Sequence, residues 1–134
     1  GQVGGSAGVD IMETGRYEVT GKGKDKVTAF VLTDQFNRGD GVVVRAHVTD
    51  ASGNPISNAT VAIQIGGPEQ VALNSNPSDA GGWAEATWQT QAPNRKGQGG
   101  TTPGAYTAST ANVTASGYNW DGVTTSTPFT ITIQ

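Results

Sequence analysis

The sequence predicts an all-β protein in which two antiparallel sheets pack face to face as a sandwich of seven or eight strands. Three observations carry this. Apolar residues recur with period two, not 3.6. Gly and Pro punctuate the chain, the longest stretch free of both being the fifteen residues 24–38, and no amphipathic helical repeat survives. Turn signals separate the alternating segments at short intervals.

The clearest strand has Val42, Val44, Ala46 and Val48 on one face and Val43, Arg45, His47 and Thr49 on the other. The first set is the expected core face. Val61, Ile63 and Ile65 alternate with Thr60, Ala62 and Gln64 in the same way. Ala84, Ala86 and Trp88 alternate with Trp83, Glu85 and Thr87. Val27–Leu32 is apolar on both faces, which predicts a strand covered on both sides. Tyr106, Ala108, Thr110 and Asn112 alternate, but the phase blurs at Val113. Phe129, Ile131 and Ile133 mark a closing strand, and Arg16–Thr20 reads as a further short one. Residues 1–8 are Gly-rich without periodicity and read as a linker from a preceding domain, leaving 9–134 as one domain.

Two turns have a readable mechanism. Asp50-Ala-Ser-Gly-Asn-Pro55 joins two strong strands. Asp accepts backbone N–H bonds, Gly supplies positive φ, and Pro55 sets φ on re-entry. Ser78-Asp-Ala-Gly-Gly82 repeats that chemistry, with Asp79 and Gly81 expected in the roles of Asp50 and Gly53.

Composition narrows function. Charged residues are 14%, against roughly 25% in an average domain. Thr, Ser, Asn and Gln take their place, as is common in extracellular β proteins. The net charge of −3 argues against a nucleic-acid partner. No apolar run approaches the roughly 18 residues of a membrane-spanning helix, so no membrane insertion is expected. Without cysteine there is no disulfide, thiolate metal site or thiol nucleophile.

No catalytic residue is assigned. The sole histidine, His47, lies on a strand face, and no nucleophile-elbow motif accompanies it. Glu13, Glu18, Glu69 and Glu85 have no spacing that favours an acid–base pair. No cofactor is expected beyond a structural calcium. Oxygen ligands for that ion are available near turns at Asp34, Asn37, Asp40, Asp50, Asn54, Asn76, Asp79 and Asp121. Turn capping explains the same residues equally well. For a polysaccharide ligand, Tyr118, Trp120 and Asp121 in a Gly-flanked loop have the aromatic and polar composition of a sugar platform, with Trp83 as a second ring, while Arg95, beside Lys96 in the 91–104 loop, is a cation for an anionic polysaccharide and equally suits solvent. The alternative is that these rings fold back and cap one end of the sandwich.

The run Val48-Thr-Asp-Ala-Ser-Gly-Asn-Pro-Ile-Ser-Asn-Ala-Thr-Val61 resembles the core signature of bacterial immunoglobulin-like domains of the invasin and intimin type. Ser78-Asp-Ala-Gly-Gly-Trp-Ala-Glu-Ala-Thr87 and Ala105-Tyr-Thr-Ala108 continue the likeness. The resemblance implies an immunoglobulin-like sandwich. It also implies a non-catalytic accessory or spacer module of a secreted or cell-surface protein, whose partners are other domains of the same polypeptide. A carbohydrate-binding module and an adhesin repeat that binds a protein are the alternatives within that resemblance. Residues 91–104 and 116–125 and the long 9–38 segment depart from the family pattern, and any individual function is expected there.

Overall fold

The computed structural model describes residues 5–132. They form ten strands: β1 Gly5–Thr20, β2 Val27–Leu32, β3 Gln35–Asn37, β4 Gly41–Asp50, β5 Thr60–Gly66, β6 Val71–Asn74, β7 Trp83–Gln89, β8 Gly104–Thr114, β9 Tyr118–Trp120 and β10 Ser126–Thr132. One five-stranded sheet runs β2-β1-β4-β7, with β9 beside the start of β1. The other, also five-stranded, runs β3-β10-β8-β5-β6. Among the described residues the only helical turn is the short 3-10 segment Gly23–Asp25, and no helix is long and apolar enough to cross a membrane.

The core lies between the sheets, where the alternation places it. Val42, Val44, Ala46 and Val48 face Val61, Ile63, Ile65, Ala108 and Ile131, all buried. The aromatic centre is Tyr106, Phe129 and Phe36, with Trp88 reaching in from β7. The blurred phase near Val113 has a physical cause. Ile63 pairs with Thr110 while Ala62 pairs with Asn112, so Ala111 is the extra residue of a bulge. Beyond it the buried set shifts to Val113 and Ala115. Ile133, at the end of the closing strand, lies outside the described residues.

Three expectations are corrected. Gly5–Gly8, read as the end of a linker, open β1, while residues 1–4 lie outside the described range. The small side chains serve close packing here: Ala7 is buried, and a Cβ on Gly8 would fall 2.1 Å from Asp121 Oδ2. Second, β2 is not covered on both sides. It is a sheet edge, with Val27 58% and Leu32 63% exposed. Its partner β1 continues past the end of the β4 ladder at Gly15–Val43, so Arg16–Thr20 pair with β2 alone. Third, the positive φ in the second turn belongs to Gly82 (86°), matching Gly53 (87°), and not to Gly81.

The two turns are otherwise alike, and a third copy sits in the long polar loop. Asp50, Asp79 and Asn94 each accept, on Oδ1, the N–H groups two and four residues on. In each, the N–H three residues on, from Gly53, Gly82 or Gly97, donates to the first residue's carbonyl. This is a tight turn closed by a glycine in the left-handed region. The 91–104 loop is thus a hairpin, latched by the Thr101 N–H on the Gln91 carbonyl and the Gln91 N–H on Thr101 Oγ1.

Candidate functional site

The outer face of the first sheet gathers Glu13, Arg45, His47 and Glu85 beside the rings of Tyr17, Phe30 and Trp83. Strand alternation turns Arg45 and His47 of β4 away from the core. Register then sets Glu13, Arg45 and Glu85 in one cross-strand row, and Ile11, His47 and Trp83 in the next. Arg45 Cζ stands 4.7 Å from the Phe30 ring centroid and 4.7 Å from that of Trp83. A guanidinium between two aromatic faces is worth about 1–2 kcal/mol when partly desolvated. Arg45 also meets Glu13 at 3.7 Å.

Phe30 reaches Arg45 from two strands away because Gly15 lies between them. A Cβ on Gly15 would fall 2.5 Å from Phe30 Cζ. Tyr17 packs edge-on to Phe30 with centroids 5.5 Å apart, and its hydroxyl donates to Glu85 Oε2. Beside these side chains lies a shallow depression of about 150 Å³, lined by Tyr17, Arg45, Asn76, Asp79, Trp83 and Glu85 among others. The arrangement offers one aromatic edge, a fixed cation and two carboxylates to a polar ligand.

The phenol of Tyr17 is held above the ordinary tyrosine range, first by its hydrogen bond to Glu85, then by desolvation and by the charge of Glu85, with Arg45 opposing. The folded state therefore favours the protonated phenol. Its contribution is complete below the unfolded value of about 10 and is lost as pH rises through the raised value. Denaturant midpoints of the wild type and Tyr17→Phe are expected to differ most near neutral pH and to converge as pH rises through the raised Tyr17 value. A difference independent of pH would mean that the Tyr17–Glu85 bond carries no stability.

His47 is held by structure on both sides. Nδ1 meets Asp10 Oδ1 at 2.7 Å and Nε2 meets the Gly81 carbonyl oxygen at 2.8 Å. Asp10 is the extra residue of a bulge, since Val9 pairs with Val48 and Ile11 with His47. Neither ring nitrogen is directed at a hydroxyl.

The residues singled out for a polysaccharide are not brought together. Tyr118 and Trp120 lie in β9, beside Gly5 and Ala7, and pack against the core. Trp120 Nε1 is buried without a hydrogen-bond partner. Asp121 closes its own turn, its N–H on the Ala7 carbonyl and its Oδ1 accepting from Val123. Trp83 lies on the opposite, outer face of the sheet. Arg95 is exposed in the Asn94–Gln98 turn at the other end of β7.

The residues weighed for calcium act largely as turn caps. Asp50, Asp79, Asn76 and Asp40 each accept backbone N–H groups on side-chain oxygens. Among the described residues no three His, Asp or Glu side chains converge where they could share an ion.

Arg45, Phe30 and Tyr17 escaped the sequence reading. The alternation of β4 points Arg45 outward, but only the pairing register shows that rings from β2 and β7 flank it. No family model matches the chain, and no curated protein matches it either.

Proposed function

We propose that the chain is a non-catalytic spacer module of the bacterial immunoglobulin-like kind, built to carry tension between flanking segments of a secreted or cell-surface protein. The observation that supports this is where the described chain enters and leaves. β1 begins beside the end of β4, with Ala7 paired to Asp50. β10 reaches Thr132 beside Asn37, and Asn37 is tied to Asp40 just before β4 begins. The two ends therefore lie at opposite poles, separated by the length of β4, or about 30 Å for its ten residues.

Strand direction adds to this. Pulled outward at its pole, β1 slides along β4, and β10 slides along β8. Each ladder is then loaded in shear, and its hydrogen bonds resist together instead of opening one by one. The low charge and the Thr- and Ser-rich surface suit an exported protein.

Single-molecule pulling tests the reading. The chain has no cysteine, so an introduced one defines the pulling axis. Pulled from its two ends, the module is expected to unfold in one step, at a force several-fold higher than when pulled between the N-terminal end and Ser52→Cys. The second axis peels β1 from β4. Equal, low forces along both axes would remove the load-bearing reading.

A second reading, polysaccharide binding, has one supporting observation, the polar depression beside Trp83 and Arg45. It predicts retardation in polysaccharide-containing native gels that Trp83→Ala abolishes. Unchanged migration across a panel of neutral and acidic polysaccharides would leave the spacer reading alone.

A further inference from the structure

We infer that β2 is a self-association edge, on which a second copy of this chain adds antiparallel to its own β2. Five strands of the described residues have an unpaired side: β2, β7 and β9 in the first sheet, β3 and β6 in the second. Four of them are blunted. β3 and β9 have three residues each and β6 has four. The backbone of β7 is already engaged on its outer side: the Asn76 N–H donates to the Glu85 carbonyl, the Glu85 N–H donates to Asn76 Oδ1, and the Asp79 N–H donates to the Trp83 carbonyl. Native edges are usually protected in such ways against pairing with another chain.

β2 has none of these devices. Val-Thr-Ala-Phe-Val-Leu contains no charge, no Pro and no Gly, and all six residues pair in unbroken register with β1. Every residue but Phe30 and Val31 is exposed. The bulkiest side chain does not obstruct the edge, because the Phe30 ring leans back over Gly15 toward Arg45.

The flanking charges select a second copy as the occupant. Lys22, Lys24 and Lys26, with Asp25 among them, leave the segment before the strand basic, and Asp34 follows it. An antiparallel mate therefore brings the basic end of each copy to the acidic end of the other. With the two-fold axis on Phe30, Lys26 stands opposite Asp34, Thr28 opposite Leu32 and Ala29 opposite Val31. Each such charge pair occurs twice by symmetry. A six-residue edge buries less than a standard interface, so the association is weak in free solution, roughly micromolar to millimolar. It gains strength where copies are held at high local concentration.

Sedimentation velocity over about 10 µM to 1 mM chain is the test. Wild-type protein is expected to show a concentration-dependent monomer–dimer equilibrium that weakens with salt. Ala29→Lys, an exposed position, should abolish it while leaving the denaturant midpoint nearly unchanged. Asp34→Lys should weaken it about tenfold, and the Lys26→Asp/Asp34→Lys double variant should bring it back to within about threefold of wild type. A wild-type chain that stays monomeric throughout overturns the inference. So does a dimer indifferent to Ala29→Lys, or a double variant that is no better than Asp34→Lys.

Discussion

Replacing Phe129 by alanine is expected to destabilise the protein by about 3–5 kcal/mol, the largest single-residue effect in the chain. Phe129 is 2% exposed and is the hub of a four-ring cluster. It stacks on Tyr106 with centroids 5.6 Å apart. It meets Phe36 edge-on at 5.8 Å and Trp88 at 6.4 Å. Those rings come from β3, β7, β8 and β10, so the cluster fastens both sheets at the pole where the chain leaves. Truncation loses the transfer free energy of the ring and leaves a cavity that three rigid neighbours cannot fill. Native stability is only about 5–15 kcal/mol, so the variant should lose about a fifth or more of it in guanidinium unfolding followed by tryptophan fluorescence.

Tyr106→Phe is the control for the same cluster. It keeps the stack and loses only the hydroxyl bond to the Thr102 carbonyl, at a cost of about 1 kcal/mol. If the two variants cost the same, aromatic packing is not what holds this end together.

The second large effect separates two glycines that look equivalent in the sequence. Gly53 and Gly82 hold the same place in two copies of one turn, at φ 87° and 86°. An alanine at Gly53 meets no atom within 4 Å and should cost only the left-handed backbone penalty, about 1–2 kcal/mol. At Gly82 the new Cβ falls 2.7 Å from the Val48 carbonyl oxygen and 2.9 Å from Pro55 Cβ. It also displaces the Gly82 carbonyl, which accepts the Val48 N–H. Gly82→Ala should therefore cost about 3 kcal/mol or more, because overpacking adds to the backbone term. Thermal unfolding of the pair side by side measures the difference. Equal costs would mean that β4 can yield at Val48, and that the two turns are interchangeable after all.

The sequence was most legible where burial is one-sided. β4, β5 and β7 were read with the correct core faces because their apolar residues alternate strictly. The Asp50 turn was read because its carboxylate, glycine and proline act within six residues. β2 misled because an apolar strand on a sheet edge has the same composition as one buried on both faces. The third turn copy, at Asn94, was hidden because Asn and Gly also compose irregular loops. The inward packing of Tyr118 and Trp120 was left open, since a Gly-flanked aromatic pair suits a cap and a platform equally.

By itself, then, the sequence determined the period-two strands, the two-sided core and the Asp-led turns. These depend on interactions between residues that are near in the chain, or on the single apolar/polar distinction that water imposes. Only the tertiary structure decided which strands stand at edges, that Arg45 lies between Phe30 and Trp83, and that the described residues begin and end at opposite poles. Those facts depend on strand order and register. In this chain register is set where two bulges, at Asp10 and Ala111, absorb a residue between distant segments that no local pattern records.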